Sequence, residues 1–212
     1  MLIKNFIFNP IEENTYVLAD EDSKRCMIID AGCLFPDEKE ELAKYIEANG
    51  LVVDRLINTH LHLDHCFGNR FVSEKYGILP EAHENDEQLL SMMNLHSRMW
   101  GLPFDEEPQT LGGYLYDGDV IVMGNIHVKV LHVPGHSQGG LAFYIEDGGV
   151  LFSGDTLFYE SIGRSDLPGG NQEQLVESIQ TKLFSLPDET KVYTGHGRAT
   201  SIRHEKEHNP YV

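Results

Sequence analysis

The chain has 212 residues, 41 % of them hydrophobic and 24 % charged. That composition excludes intrinsic disorder and suits one globular domain, residues 1–212, with a sizeable core. Thirty-four acidic side chains against sixteen basic ones leave a net charge of −18; with no Lys/Arg run to offset it, nucleic acid and anionic membranes are poor partners.

Strands are predicted at Leu2–Phe8, Thr15–Ala19 and Cys26–Asp30, the last running into the turn Asp30-Ala31-Gly32. Pro36 opens a helix that reaches Asn49, with Leu42, Tyr45 and Ile46 as its apolar stripe, and Gly50 stops it. A strand at Val52–Asn58 leads into a polar loop, Thr59–Asn69, then a helix to Tyr76 and a short strand near Ile78. Glu84–Trp100 reads as one helix, with Trp100 as a packing residue, and Gly101–Gly113 as a loop. Strands return at Val120–Met123, His127–Val133, Leu141–Ile145 and Val150–Ser153, followed by a helix at Gln172–Phe184 and a strand at Lys191–Thr194. This order suggests two sheets covered by helices.

Three cysteines, Cys26, Cys33 and Cys66, are too few and too scattered for a disulfide framework. Cys66 reads as a small buried residue. The start of the chain lacks the apolar stretch of a signal peptide, and no run of about 18 apolar residues exists. The expectation is a cytoplasmic protein.

The chemistry concentrates in Thr59-His60-Leu61-His62-Leu63-Asp64-His65, where three imidazoles and a carboxylate fall within six residues after a strand. Neutral imidazole and carboxylate suit zinc, iron and manganese. The loop places His60 and His62 close together and displaces Asp64 and His65 toward a second metal. Three further signals follow strands: Pro134-Gly135-His136-Ser137, Ser153-Gly154-Asp155-Thr156 and Thr194-Gly195-His196-Gly197. Each puts one ligand side chain beside glycine, which lets the backbone turn sharply near a site. Together they complete a set of seven.

In these four motifs, and in Ile29-Asp30-Ala31-Gly32, the sequence resembles the metallo-β-lactamase-fold hydrolases. The resemblance implies an α/β fold, a four-layer αββα sandwich, and two divalent metals, zinc first, with iron or manganese also suited. It implies that His60, His62 and His136 bind one metal, that Asp64, His65 and His196 bind the other, and that Asp155 bridges them. Within the family the likeness is to short bacterial hydroxyacylglutathione hydrolases (glyoxalase II), through Gly163–Gly170 and the ending His196 … His208-Asn209-Pro210-Tyr211. Longer glyoxalase II proteins add a C-terminal helical region that contacts glutathione, and this sequence stops sixteen residues after His196.

The expected activity is thioester hydrolysis by a metal-bridging hydroxide that Asp64 orients as well as binds. A thiolate leaves readily, so no strong general acid is needed. Arg164 lies where the family places a basic residue near the substrate carboxylate. Asp30 and Thr59 are candidates to orient the histidines. His83, His127 and His132 read as ordinary, and His204 and His208 as packing for the terminal segment. The first alternative is a one-iron persulfide dioxygenase of the same fold, which would use His60, His136 and Asp155. Hydrolysis of another ester or lactone is the second. A β-lactamase is disfavoured by Asp155, and a nuclease of this fold by the net charge.

Overall fold

The computed structural model describes residues 1–212. By its internal packing the chain divides into two compact units, Met1–Tyr114 with Met123–Ile126, and Leu115–Val122 with His127–Val212.

The first unit is built on strands β1 (Leu2–Phe8), β2 (Glu13–Ala19) and β3 (Arg25–Ile29), helix α1 (Pro36–Ala48), and strand β4 (Val52–Ile57). Helices α2 (Leu63–Cys66) and α3 (Asn69–Tyr76), strand β5 (Pro80–Ala82), helices α4 (Glu87–Leu90) and α5 (Met93–Trp100), and strand β6 (Gly113–Tyr114) complete it. The six strands form one sheet in sequence order, antiparallel from β1 to β3 and parallel from β3 to β6. All seven residues of β2 are buried, so its polar members Glu13, Asn14 and Thr15 must find partners inside. Leu42 and Ile46 of α1 pack on Phe6, Phe8, Cys26 and Ile28. A second cluster joins Leu61, Leu63 and Cys66 to Leu90, Met93 and Phe104.

The second unit's sheet runs β14-β13-β10-β9-β8-β7. Its strands are β7 (Val120–Met123), β8 (Ile126–His132), β9 (Leu141–Ile145) and β10 (Val150–Gly154), then β13 (Lys191–Thr194) and β14 (Thr200–Ser201). A two-stranded ribbon, β11 (Leu157–Phe158) with β12 (Ser161–Ile162), and helices α6 (Gln172–Ser178) and α7 (Ile202–His208) lie beside it in sequence. Leu175, Ile179 and Leu183 line up at intervals of four and bury against Leu131, Leu151, Val192 and Ile202. The pairing that matters for the site is β10 with β13, which is parallel and matches Gly154 to Thr194. It brings the ends of two strands distant in sequence side by side.

Five expectations need correction. The loop at 59–69 contains the one-turn helix α2, and the short strand lies at Pro80–Ala82 rather than at Ile78. The helix expected at Glu84–Trp100 is broken: Ser91 Oγ donates to the Gln88 carbonyl at 2.7 Å and helps end α4. Trp100 does not pack in the core but is 52 % exposed. The helix expected at Gln172–Phe184 is regular only to Ser178 and widens over Ile179–Leu183. No helix is long and apolar enough to cross a membrane.

Candidate metal centre

In the first unit β4 delivers the chain to the histidine-rich segment. His60 and His65 are buried, and His62 is half-buried as the residue that enters α2. The His60 ring lies edge-on to His62, with centroids 4.7 Å apart, and tilted to His65 at 4.1 Å. Asp64 Oδ2 lies 3.6 Å from His65 Nε2.

A relay behind these rings fixes which nitrogen is available. Asp30 follows β3 with φ of 54°, a left-handed conformation that Asp tolerates better than most residues. Its Oδ1 accepts the Thr59 backbone N–H at 2.7 Å, and its Oδ2 accepts the Thr59 hydroxyl at 2.6 Å. His65 Nδ1 donates to the same Oδ2 at 3.0 Å, which puts the ring proton on Nδ1 and the lone pair on Nε2. With its proton on Asp30, the Thr59 hydroxyl accepts from His60 Nδ1 at 3.1 Å, so His60 also presents Nε2. Asp30 and Thr59 thus do what the sequence suggested for them, orienting imidazoles through their outer nitrogens.

Glu13, a residue the sequence reading passed over, lies deeper. It is fully buried, accepts the Thr15 hydroxyl at 2.8 Å, and holds Oε1 4.0 Å from His65 Nδ1. Burial pushes its carboxyl well above the ordinary 4.5, while His65 pulls the other way. The signal was a glutamate opening a strand, Glu13–Ala19, that is otherwise largely apolar. Gly32 is required there: a Cβ would sit 1.9 Å from Glu13 Oε2 and 2.7 Å from the Asp64 carbonyl oxygen. Asn9 Nδ2 donates to the Gly32 and Asp64 carbonyls at 3.0 and 3.1 Å and ties these segments together.

The second unit assembles its donors from three strand ends. Asp155 follows β10 and His196 follows β13, and Gly195 N–H donates to the Gly154 carbonyl at 2.9 Å. Asp155 Oδ2 lies 3.5 Å from His196 Nε2 and 3.7 Å from His136 Nε2. His136 Nδ1 donates to the Arg164 carbonyl at 2.7 Å, again leaving Nε2 to ligate. The Pro134–His136 turn needs glycine at 135, where φ is 135° and a Cβ would lie 2.3 Å from Leu175 N. Gly163 has no room for a side chain either, its Cβ position falling 1.8 Å from the Asp155 carbonyl oxygen.

The donors suit a metal. Two ligand atoms on one tetrahedral zinc, each about 2.0–2.1 Å from it, lie roughly 3.3–3.5 Å apart. The Asp64–His65, Asp155–His136 and Asp155–His196 separations are close to that spacing, and the donors are imidazole nitrogens with outer nitrogens already spoken for, plus carboxylates. Asp155, within reach of two imidazoles through one oxygen, has the geometry of a shared carboxylate.

Other candidates fall into place within their units. Arg164 is exposed, and its Nε and Nη2 donate to both oxygens of Asp166 at 2.7 and 2.8 Å, which holds the Asp166 carboxyl down at about 2. His83 Nδ1 accepts the Asn85 N–H, and His132 bonds the Gln138 carbonyl. His204 and His208 stack on each other beside Tyr159. The three thiols are free and buried; burial pushes Cys26 and Cys33 up to about 12 and Cys66 well above its usual range. Cys66 beside the ligands is therefore an inert packing group.

The metallo-beta-lactamase superfamily model matches residues 9–196. The probable metallo-hydrolase YqgX of Bacillus subtilis is 36 % identical over 96 % of this chain and 93 % of its own length. The hydroxyacylglutathione hydrolase GloC of Haemophilus influenzae is 33 % identical over 91 % of this chain and 89 % of its own. Two solved structures, the BLEG-1 B3 metallo-beta-lactamase and TTHA1623 in a di-iron-bound form, each superpose with TM-score 0.87 at 34 % identity. Both cover 99 % of this chain, and 99 % and 100 % of their own.

Proposed function

Because the chain belongs to the metallo-beta-lactamase superfamily, we propose that it is a binuclear metal-dependent hydrolase that cleaves thioesters of the S-hydroxyacyl-glutathione type. The observation that carries the reading is the donor set: His60, His62, Asp64 and His65 in one unit, with the His60 and His65 imidazoles oriented by the Asp30–Thr59 relay, and His136 and His196 converging on Asp155 in the other. Likeness to GloC over nine-tenths of the chain supports the thioester.

On this reading His60, His62 and His136 hold one cation, Asp64, His65 and His196 the other, and Asp155 both. Zinc or iron fits these donors. Two such cations supply Lewis acidity toward the substrate carbonyl and acidify water at neutral pH. The protein's own part is orientation. Asp64 accepts a hydrogen bond from the attacking water and aims it at the thioester carbon. The Asp30–Thr59–His60 relay and the Arg164 carbonyl hold three imidazoles in the tautomer that ligates. Water adds to the carbonyl carbon, the C–S bond breaks, and a thiolate leaves; with a pKa of about 8.5 it needs no dedicated acid. Three free buried thiols suit a reducing compartment, the cytoplasm.

The test is steady-state hydrolysis of S-D-lactoylglutathione by the metal-loaded protein, with kcat/KM expected above about 10⁴ M⁻¹s⁻¹. A second reading, opening of a β-lactam ring, has one observation in its favour, the 34 % identity to BLEG-1 over the full chain. Turnover of nitrocefin without turnover of the thioester would replace the first reading with the second.

A further inference from the structure

The thiol carriers of cellular thioesters are anionic, and a chain of net charge −18 needs a cation to hold one. Seven arginines are present, and six pair with a carboxylate. Arg164 is among the six; to receive a substrate anion through Nε and Nη2 it must first release Asp166. The seventh, Arg198, has no carboxylate partner. It is exposed, and its guanidinium carbon lies over the Tyr159 ring, 3.3 Å from the centroid.

The mounting is built from both sides. Tyr159 stacks on His204 at 4.7 Å and 21°, His204 stacks on His208 at 4.6 Å and 13°, and His204 Nε2 bonds Glu160 at 3.0 Å. The neighbouring Phe158 ring meets His196 edge-on at 6.3 Å. Two consecutive aromatic residues thus brace two positions of one turn, a candidate ligand and a cation. Thr194 Oγ1 donates to the His196 carbonyl at 2.7 Å and lies 3.4 Å from the carbonyl of Arg198. With one residue between them, the Cα atoms of His196 and Arg198 lie within about 7 Å. The π face carries one side of the guanidinium without neutralising it; one donor is shared with the Tyr159 hydroxyl, and the remaining N–H donors of the five can meet a two-oxygen anion.

We propose that Arg198, mounted on Tyr159, is the anion anchor of the site and pairs with a carboxylate or phosphate on the thiol carrier of the substrate. The proposal rests on the thioester reading above for the identity of the substrate. It makes Arg198 a binding and specificity residue, with no part in the bond-breaking step.

The experiment uses the metal-loaded full chain and variants Arg198→Ala, Arg198→Lys and Arg164→Ala. Kinetics with S-D-lactoylglutathione are joined to calorimetric binding of three uncleavable thioethers: S-butylglutathione, its uncharged-carboxyl diethyl ester, and S-butyl-coenzyme A. Arg198→Ala is expected to raise KM and the S-butylglutathione Kd about tenfold or more, leave kcat and metal content unchanged, and leave the diester Kd unchanged. Arg198→Lys recovers part of the loss, and Arg164→Ala changes KM by less. Preference for the coenzyme A thioether, lost in Arg198→Ala, would assign the anion to phosphate. Equal effects on charged and uncharged thioethers, or no effect on either, would overturn the anchor. If the wild type hydrolyses no thioester, the function reading falls, and the calorimetric arm still decides Arg198: selective, Arg198-dependent binding of a charged thioether upholds it, and indifference to charge removes it.

Discussion

The two units position their candidate metal donors in opposite ways. The first packs His60, His62, Asp64 and His65 into six consecutive residues and orients two of the imidazoles, His60 and His65, from behind with a buried relay of Asp30 and Thr59. The second gathers His136, Asp155 and His196 from strand ends dozens of residues apart, using the parallel β10–β13 pair and glycines at 135, 154 and 163. Side-chain hydrogen bonds do the positioning in one case, and backbone geometry does it in the other. The two strategies should therefore fail differently under mutation.

Removing a donor from either unit has the largest expected effect. Asp64→Ala and Asp155→Ala should each cost about 10³-fold or more in kcat/KM, in the range of losing an electrostatic group at the reacting centre. Their melting temperatures should stay near that of the wild type when both are metal-free. Retained turnover in either variant, with metal content confirmed, would break the account on that side.

Next comes the backbone device of the second unit. Gly135→Ala places a Cβ 2.3 Å from Leu175 N at a positive φ, and strain and overpacking together should cost roughly 2–4 kcal/mol in denaturant unfolding. Gly50→Ala, at φ of 62° with open space around it, is the control for φ alone and should cost about 1 kcal/mol. Equal losses at the two positions would show that the close approach to α6 does not matter.

The relay of the first unit is the counterpart. Asp30→Asn exchanges one acceptor oxygen for a donor, and metal affinity should weaken about 10–100-fold with little change in fold. Competition with a chromophoric chelator reads this directly.

How much of this was legible in the sequence follows the same division. The contiguous donors announce themselves, because four ligand side chains at H-x-H-x-D-H spacing need no fold to be noticed. His136, Asp155 and His196 are single residues beside glycines, weak alone; they stood out only as additions to the first motif, and the resemblance assigned each to a metal. Strand periodicity located the main strands of both sheets, but not the short pairs at Leu157–Phe158 and Ser161–Ile162 or the break in Glu84–Trp100. Two-residue strands carry no period, and the break coincides with a serine hydroxyl bonding its own helix, which apolar periodicity does not register. Glu13 was missed because the expected strand began at Thr15, which left Glu13 in a polar lead-in normally exposed to water. Here the strand is buried throughout.

Glu13 gives the smallest expected effect, a pH dependence. Its carboxyl lies well above 4.5 in the folded chain, so the folded metal-free protein holds a proton that the unfolded chain releases. That contribution is complete below about pH 4.5 and is lost as pH rises toward the folded-state pKa. Glu13→Gln removes the loss, so between about pH 5 and 8 the metal-free variant's melting temperature should fall less than the wild type's. Identical slopes would mean that Glu13 is ionised in the fold.

The central claim is that both sets of donors serve one two-metal reaction. Its most direct test is a titration of metal-free protein with zinc or iron(II), following S-D-lactoylglutathione hydrolysis against metal equivalents per chain. The account predicts activity that rises to a break at two equivalents. Full activity at one equivalent, or no thioester turnover at any loading, would contradict it.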